Sequence, residues 1–425
     1  MHASYVRRVV DDEIDILFSG LPAISLEGPK GCGKTDTALR RARTVYRLDE
    51  SAQRAILAAD PRRLISGPPP VLVDEWQRLP ESWDVVRRSV DLDRSPGRFL
   101  LTGSASLDRS PTHNGAGRIV TLRMRPMSLA ERGVATPTVS LARLLDGRRL
   151  PVAGETTIGL ERYAQEIVNS GFPGLRALQG RLLRSSLDGY IDRIIDNDVP
   201  DAGRSVRNPA GLRRWMSSYA AATSTTATYE HIRDAATSGQ GDKPARSTTE
   251  PYRAVLERIW IVESLPGWVP SRNRIANLAT PPKHHLADPA LAARLLGVGI
   301  PDLLEGRPAP LPSPPDGTLL GALFESLVAL CVRVYAQAAE ARVHHLRTKG
   351  GLREVDFIVI GHDGKVLGIE VKLTSAVKDE DCRHLRWLRS TLGDELADAI
   401  VVSTGPYAYR RKDGIAVVPA ALLGP

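Results

Sequence analysis

Cysteine is scarce in this 425-residue chain: only Cys32, Cys331 and Cys382, with no Cys-x-x-Cys pair and no nearby histidine partner. This excludes a disulfide framework and a zinc knuckle. Aromatic residues are also few, at 5%. An apolar leader is missing, because Arg7, Arg8, Asp11, Asp12, Glu13 and Asp15 interrupt the first thirty residues. No later run is read as membrane-spanning, so a cytoplasmic location without a membrane partner is expected. Wholesale disorder is excluded by an ordinary 42% apolar and 25% charged composition. What the chain has in excess is arginine-led positive charge, net +8 with a pI near 9.5. That balance favours an anionic partner such as nucleic acid, and a basic but inert surface gives the same numbers. The length suits two to four domains.

The most informative stretch is Leu-Glu-Gly-Pro-Lys-Gly-Cys-Gly-Lys-Thr at 26–35, where Gly28, Gly33, Lys34 and Thr35 fill the G-x-x-x-x-G-K-[ST] pattern. Glycines let backbone N–H groups curl round an anion, the lysine reaches terminal phosphates and the threonine hydroxyl ligates Mg²⁺. Residues 23–26 read as the preceding strand and 36–43 as the following helix. The expected nucleotide contacts are Gly28, Pro29, Lys30, Gly31, Cys32, Gly33, Lys34, Thr35 and Asp36, with ATP and Mg²⁺ as cofactors. Upstream, residues 14–21 read as an amphipathic helix, and Arg7 and Arg8 as a solvated basic pair.

About forty residues downstream, Pro-Val-Leu-Val-Asp-Glu at 70–75 has the Walker B form. A buried strand would deliver Asp74 to the Mg²⁺ shell, with Glu75 placed to polarise an attacking water. Either carboxylate alone also suits a helix cap. A third apolar run at 98–104 ends in Thr102, Gly103 and Ser104. Then Gly115-Ala116-Gly117-Arg118-Ile119-Val120 leads through Arg123 and Arg125 to Pro126-Met127-Ser128-Leu129. Together these segments resemble the AAA-type P-loop ATPases, which implies a parallel-sheet core. The resemblance makes Thr102 a polar sensor on a strand between the P-loop and Walker B strands. It makes Arg118 an arginine finger, which requires a homo-oligomer, a dimer or a ring. Arg109, Arg123 and Arg125 compete for that role, and Arg118 also reads as a surface salt-bridge partner.

Residues 141–200 read as mostly helical, broken by Gly171-Phe172-Pro173-Gly174. That turn and the following helix resemble segments of the same ATPase family and are assigned structural roles. Asp192, Asp196 and Asp198 read as solvated charge. Residues 209–270 have the pattern of a winged helix: helices at 212–221, 228–236 and 251–260, then an apolar strand at 259–265. Thr248, Thr249, Tyr252 and Arg253 would then meet DNA, or the unit serves as a spacer. A loop is expected at 238–248, and the proline-dense run 307–315 marks an extended linker.

The final segment begins with an apolar helix at 319–336 carrying Glu325, followed by strands at 343–347, 354–360 and 365–372. Asp356 lies on the second strand, and Glu370 and Lys372 share one face of the third, since residues two apart on a strand point the same way. This Asp…Glu-x-Lys arrangement resembles the restriction-endonuclease-like, or PD-(D/E)xK, nucleases. The resemblance implies that Asp356 and Glu370 hold Mg²⁺, that Glu325 assists and that Lys372 orients water, with binding without cleavage as the alternative. The helix expected at 379–392 presents Arg383, Arg386 and Arg389 either to phosphates or to solvent.

The resulting architecture is α/β: an AAA-type ATPase core at 1–135, a helical linker or lid at 136–208, a winged-helix-like domain at 209–306, the linker 307–315, and a nuclease-like domain at 316–425. It resembles Holliday-junction ATPases, which implies an ATP-hydrolysing protein that remodels or processes branched or duplex DNA, with Glu325, Asp356, Glu370 and Lys372 as a nuclease set. The alternative is a nucleotide-gated signalling ATPase whose last domain only binds.

Overall fold

The computed structural model describes residues 5–104, 116–203, 206, 208–236, 246–270, 280–306 and 318–425. Arg109, Gly115, the 307–315 linker and residues 238–245 of the expected loop lie outside the described residues.

Continuous apolar runs make strands that are covered on both faces, and the three central strands of the first sheet are of this kind. β1 (Ala23–Glu27), β2 (Thr44–Arg47), β3 (Val71–Asp74), β4 (Phe99–Gly103) and β5 (Val120–Arg123) pair in parallel in the order β2-β3-β4-β1-β5. Every residue of β1, β3 and β4 is buried. β4 lies between β1 and β3, so the carboxyl ends of the P-loop, Walker B and Thr102 strands meet. Ile14 of α1 (Val9–Phe18) and Ala38 of α2 (Lys34–Leu39) pack with Ile24, Leu26, Leu72 and Leu100 on one face. On the other face, Leu57 of α3 (Ser51–Ala59) and Trp83, Val86 and Val90 of α4 (Glu81–Leu92) pack with Val71, Val73 and Leu101. α1 starts five residues earlier than the apolar pattern indicates, because Asp11 accepts a 2.7 Å hydrogen bond from the Arg8 backbone N–H and caps the first turn.

The chain then leaves the first sheet and pairs with its own C-terminal segment. β6 (Val139–Ser140), α5 (Leu141–Leu145) and β7 (Gly154–Glu155) fall where a helical linker is expected, but both strands pair with the C-terminal segment. β6 lies parallel to β14 (Leu423–Gly424), and β7 is the edge strand of the second sheet. Next come α6 (Leu160–Val168), α7 (Gly180–Arg193), a π turn at Ile194–Asp198, α8 (Val199–Asp201), α9 (Pro209–Ala221), α10 (Tyr229–Ala235) and α11 (Arg246–Arg258). The strand expected at 259–265 does not form. Trp260 adopts a left-handed φ of 65°, which breaks an extended run, and its ring lies 3.6 Å from the Arg123 guanidinium carbon. What remains is a ribbon of isolated bridges, Val262 to Leu286 and Leu265 to Lys283, which continues to His345 of the last sheet through Gly267. The helix face expected to meet DNA packs inward: Thr249 and Tyr252 are buried, and Arg253 lies over the Tyr229 ring.

The final unit runs helix Leu319–Ala338, β8 (Arg342–Arg347), β9 (Glu354–Ile360), β10 (Val366–Lys372), helix Arg383–Leu392, β11 (Leu396–Ser403), β12 (Tyr407–Arg410), β13 (Ala416–Pro419). Its mixed sheet has the order β7-β12-β13-β11-β10-β9-β8. Contrary to the sequence reading, the Leu319–Ala338 helix, with 20 residues, is long and apolar enough to cross a membrane. It is a core helix instead: 72% of its most apolar window is buried within the protein. Ile14, Leu26, Tyr163, Leu212, Leu327, Phe357 and Ile400 belong to one contiguous apolar core, so the two sheets and the helices between them are packed as a unit.

Candidate functional site

At the carboxyl end of the first sheet the phosphate-loop residues close on themselves. Gly33 sits at φ 103°, a left-handed conformation that favours glycine, and a Cβ on Gly28 would stand 2.0 Å from the Met124 carbonyl oxygen. The Lys34 ammonium is buried and donates to the carbonyls of Gly28 and Pro29, each at 2.9 Å. The Thr35 hydroxyl donates to Asp74 Oδ1 at 2.8 Å, and the Thr102 hydroxyl donates to the same oxygen. Thr102 Oγ1 also accepts from the Glu75 backbone N–H at 3.3 Å. Glu75 leaves the strand in a left-handed conformation, φ 55°, and its carboxylate accepts from Gln77 Nε2 at 2.5 Å and Ser104 Oγ at 3.3 Å. Asp74 and Glu75 are therefore held by hydroxyl and amide groups that bring no positive charge. Thr35 and Asp74 form an oxygen-only donor set, which suits Mg²⁺. Cys32 is buried with its thiol toward the Met124 carbonyl, and Asp36 is exposed on the first turn of α2.

The arginines divide clearly. Arg125 pairs with Glu263 at 2.7 Å, and Arg123 and Arg333 lie 3.9 and 3.8 Å from the same carboxylate. Burial raises the Glu263 carboxyl, but Arg125, Arg333 and Arg123 outweigh it and hold the group well below its ordinary range. Arg123 and Arg125 are thus committed inside their own chain. Arg118 is 38% exposed and pairs with Asp91 at 2.8 Å on the surface.

Three contributors to the phosphate loop are not found by the sequence reading. Arg8 is not solvated: it is buried, donates to the Cys32 carbonyl at 2.7 Å and the Arg125 carbonyl at 2.8 Å, and pairs with Glu131 at 3.0 Å. A cation at the start of a helix opposes the macrodipole, and that conflict is the available signal that Arg8 has other partners. Asp198 is also buried and pairs with Lys30, while the Tyr190 hydroxyl donates to the Lys30 carbonyl at 2.9 Å. Asp192 pairs with Arg213, whereas Asp196 is exposed. The 171–174 turn lies against the loop, with Phe172 and Pro173 beside Gly31 and Gly33.

The long helix and the last sheet bring Glu325, Asp356, Glu370 and Lys372 to the lining of one cleft of about 920 Å³. Here the sequence reading misses the central residue. Lys283, on the ribbon, is 1% exposed, and its Nζ lies 2.9 Å from Glu325 Oε1, 3.0 Å from Asp356 Oδ1 and 3.4 Å from Glu354 Oε1. Asp356 Oδ2 accepts from the Val371 N–H at 2.9 Å, and Glu370 Oε1 pairs with Lys372 Nζ at 2.8 Å. Burial and then Asp356 push Glu325 up to about 8 against the pull of Lys283. The same two causes push Glu370 up to about 8. Burial acts upward on Asp356 too, but Lys283 and then Lys372 prevail and leave it below its ordinary value. Both Asp356 oxygens are engaged, and the ammonium sits between the oxygens that an ion shared with Glu325 would need. The two carboxylates that the sequence reading gives to Mg²⁺ thus each carry an ammonium partner, Lys283 on Asp356 and Lys372 on Glu370. Among the described residues no group of three histidine, cysteine or acidic side chains is arranged to hold a metal ion.

The expected arginine stripe is also mostly consumed. Arg386 pairs with Asp413 at 3.3 Å and Arg389 donates to the Asp413 carbonyl, which leaves Arg383 exposed at the cleft.

Residues 21–132 match the family model of an AAA domain. Residues 160–302 and 320–423 match models of two domains of unknown function, DUF8612 and DUF4143. The chain is similar to two uncharacterized proteins, Mb2031c of Mycobacterium bovis and Rv2008c of Mycobacterium tuberculosis. Each is 26% identical over 406 residues, covering 94% of this chain and 80% of the relative. Among solved structures, the Walker-type ATPase PABY2304 of Pyrococcus abyssi has a TM-score of 0.39 and 15% identity, covering 67% of this chain and 94% of that one. The AAA-domain match, with the parallel sheet and its phosphate loop, supports a P-loop ATPase.

Proposed function

We propose that this chain hydrolyses ATP at the first sheet and uses the cleft beside the last sheet to grip branched or duplex DNA. In this reading Lys34 and the loop N–H groups bind the phosphates, Thr35 and Asp74 hold Mg²⁺, Thr102 fixes Asp74, and Glu75 orients the attacking water. Bound Mg²⁺ would supply charge neutralisation at the transferred phosphoryl group. Arg118, exposed and weakly tied, would serve a neighbouring copy in an oligomer. The last unit's order of helix, three strands, helix and strand supports a restriction-endonuclease-like build.

The observation that carries the DNA reading is the composition of the cleft. Arg347, Lys372, Arg383 and the hydroxyl-bearing Thr225 and Thr226 line it, donors suited to phosphate oxygens, beside the carboxylates Glu325, Glu354, Asp356 and Glu370. Binding to junction, duplex and single-stranded DNA across a salt series tests it. A steep fall of affinity with salt is expected, and no binding at low salt would overturn it. Arg118→Ala should slow turnover at protein concentrations where the chain self-associates; unchanged turnover there removes its assigned role. The engagement of Arg386 by the Asp413 carboxylate and of Arg389 by the Asp413 carbonyl, which takes both from a phosphate-facing stripe, favours a second reading, a nucleotide-gated switch that binds a protein partner.

A further inference from the structure

We infer that the ammonium of Lys283 stands in for a divalent metal ion within the carboxylate cluster of the last sheet, which makes the cleft a metal-independent binding site. The inference rests on the chain's own geometry and holds whether the cleft takes DNA or a protein.

Position is the first argument. Lys283 Nζ lies within 3.0 Å of oxygens from both Glu325 and Asp356, one from the long helix and one from β9, with Glu354 at 3.4 Å. A cation that joins these two elements already occupies the point where their carboxylates converge. Charge is the second. Adding a dication there without expelling the ammonium would set like charges against each other in a poorly solvated site.

Expulsion is opposed by the backbone. Lys283 N–H donates to Leu265 at 2.9 Å and its carbonyl accepts from Leu265 N–H at 2.8 Å, so the ribbon pins the residue on both sides. Residues 283–293 are all buried, and His284 Nε2 lies 2.7 Å from the Ala227 carbonyl oxygen. With the main chain pinned, the ammonium could leave only by giving up its contacts with Glu325, Asp356 and Glu354. Glu370 Oε2 is buried with no hydrogen-bond partner among the described residues, while Glu370 Oε1 is held by Lys372.

The test is Mn²⁺ binding to the full chain without nucleotide, followed by electron paramagnetic resonance, in the unmodified protein, Lys283→Ala, Asp356→Asn and the double variant. The unmodified protein should show no Mn²⁺ site sensitive to Asp356→Asn. Lys283→Ala should gain one, and the double variant should lose it again. An Asp356-dependent Mn²⁺ site in the unmodified protein, or no gain on removing Lys283, would overturn the inference. Should Lys283→Ala fail to fold, Lys283→Met retains the aliphatic stem, and the comparison of the unmodified protein with Asp356→Asn still decides. DNA binding is read separately by the salt series, so loss of that reading leaves the Mn²⁺ result intact.

Discussion

Both sheets end in a pair of acidic residues, Asp74 with Glu75 and Asp356 with Glu370, but their partners differ in kind. Around Asp74 and Glu75 stand Thr35, Thr102, Ser104 and Gln77, which orient the carboxylates and, among the described residues, are joined by no cationic partner. Around Asp356 and Glu370 stand Lys283 and Lys372, which supply the positive charge from within the chain. Neutral donors prepare a carboxylate for an incoming cation, whereas ammonium donors satisfy it beforehand. Acidic residues at a sheet end are therefore insufficient to identify a metal site; the charge of their nearest donors decides.

The comparison can be broken at four points. The largest effect is expected at the first sheet: Glu75→Gln should lower ATP turnover about 10²–10⁴-fold, the usual range for general acid–base groups, while ATP still binds. Turnover near that of the unmodified protein would remove Glu75 from its role. Next, Lys283→Ala should cost about 3–5 kcal/mol of folding stability, because it leaves buried carboxylates without their counter-ion. Denaturant unfolding measures this, and Mn²⁺ should restore part of the loss.

Third comes pH. Glu325 and Glu370 rise from an ordinary 4.5 to about 8 in the folded protein. Their stabilising contribution is thus complete below about 4.5 and is lost as pH climbs through about 8. Melting temperature should fall across that window, and Glu325→Gln should flatten the slope; an identical slope in the variant would remove Glu325 as a cause. The smallest effect is expected from Arg383→Ala, which should lower the salt slope of DNA binding by about one.

What the sequence discloses follows from range. The phosphate loop, the Val71–Asp74 strand and the last unit's helix and strands are legible because period and local motif determine them. Lys283 is not, because its partners lie on a helix and a strand far along the chain. Its one local sign is its place at the head of the 283–293 run, which carries one other formal charge, Asp288. β6 and β7 are too short to show any alternation, and only their pairing with the C-terminal segment makes them strands. Arg253 and Tyr252 look suited to DNA because their types suit it; burial against Tyr229 is a tertiary fact.

The Leu319–Ala338 helix runs from the cleft to the arginine cluster around Glu263. Near one end Glu325 meets Lys283, and near the other Gln337 bonds Arg125 at 2.9 Å and accepts no role in the cleft. Those two residues are about 18 Å apart along the axis at the usual helical rise. A hydrogen-bonded helix packed in a core transmits axial displacement with little compression. The helix is thus a strut of fixed length that sets the spacing between the Arg123–Arg125 segment and the Glu325–Lys283 contact.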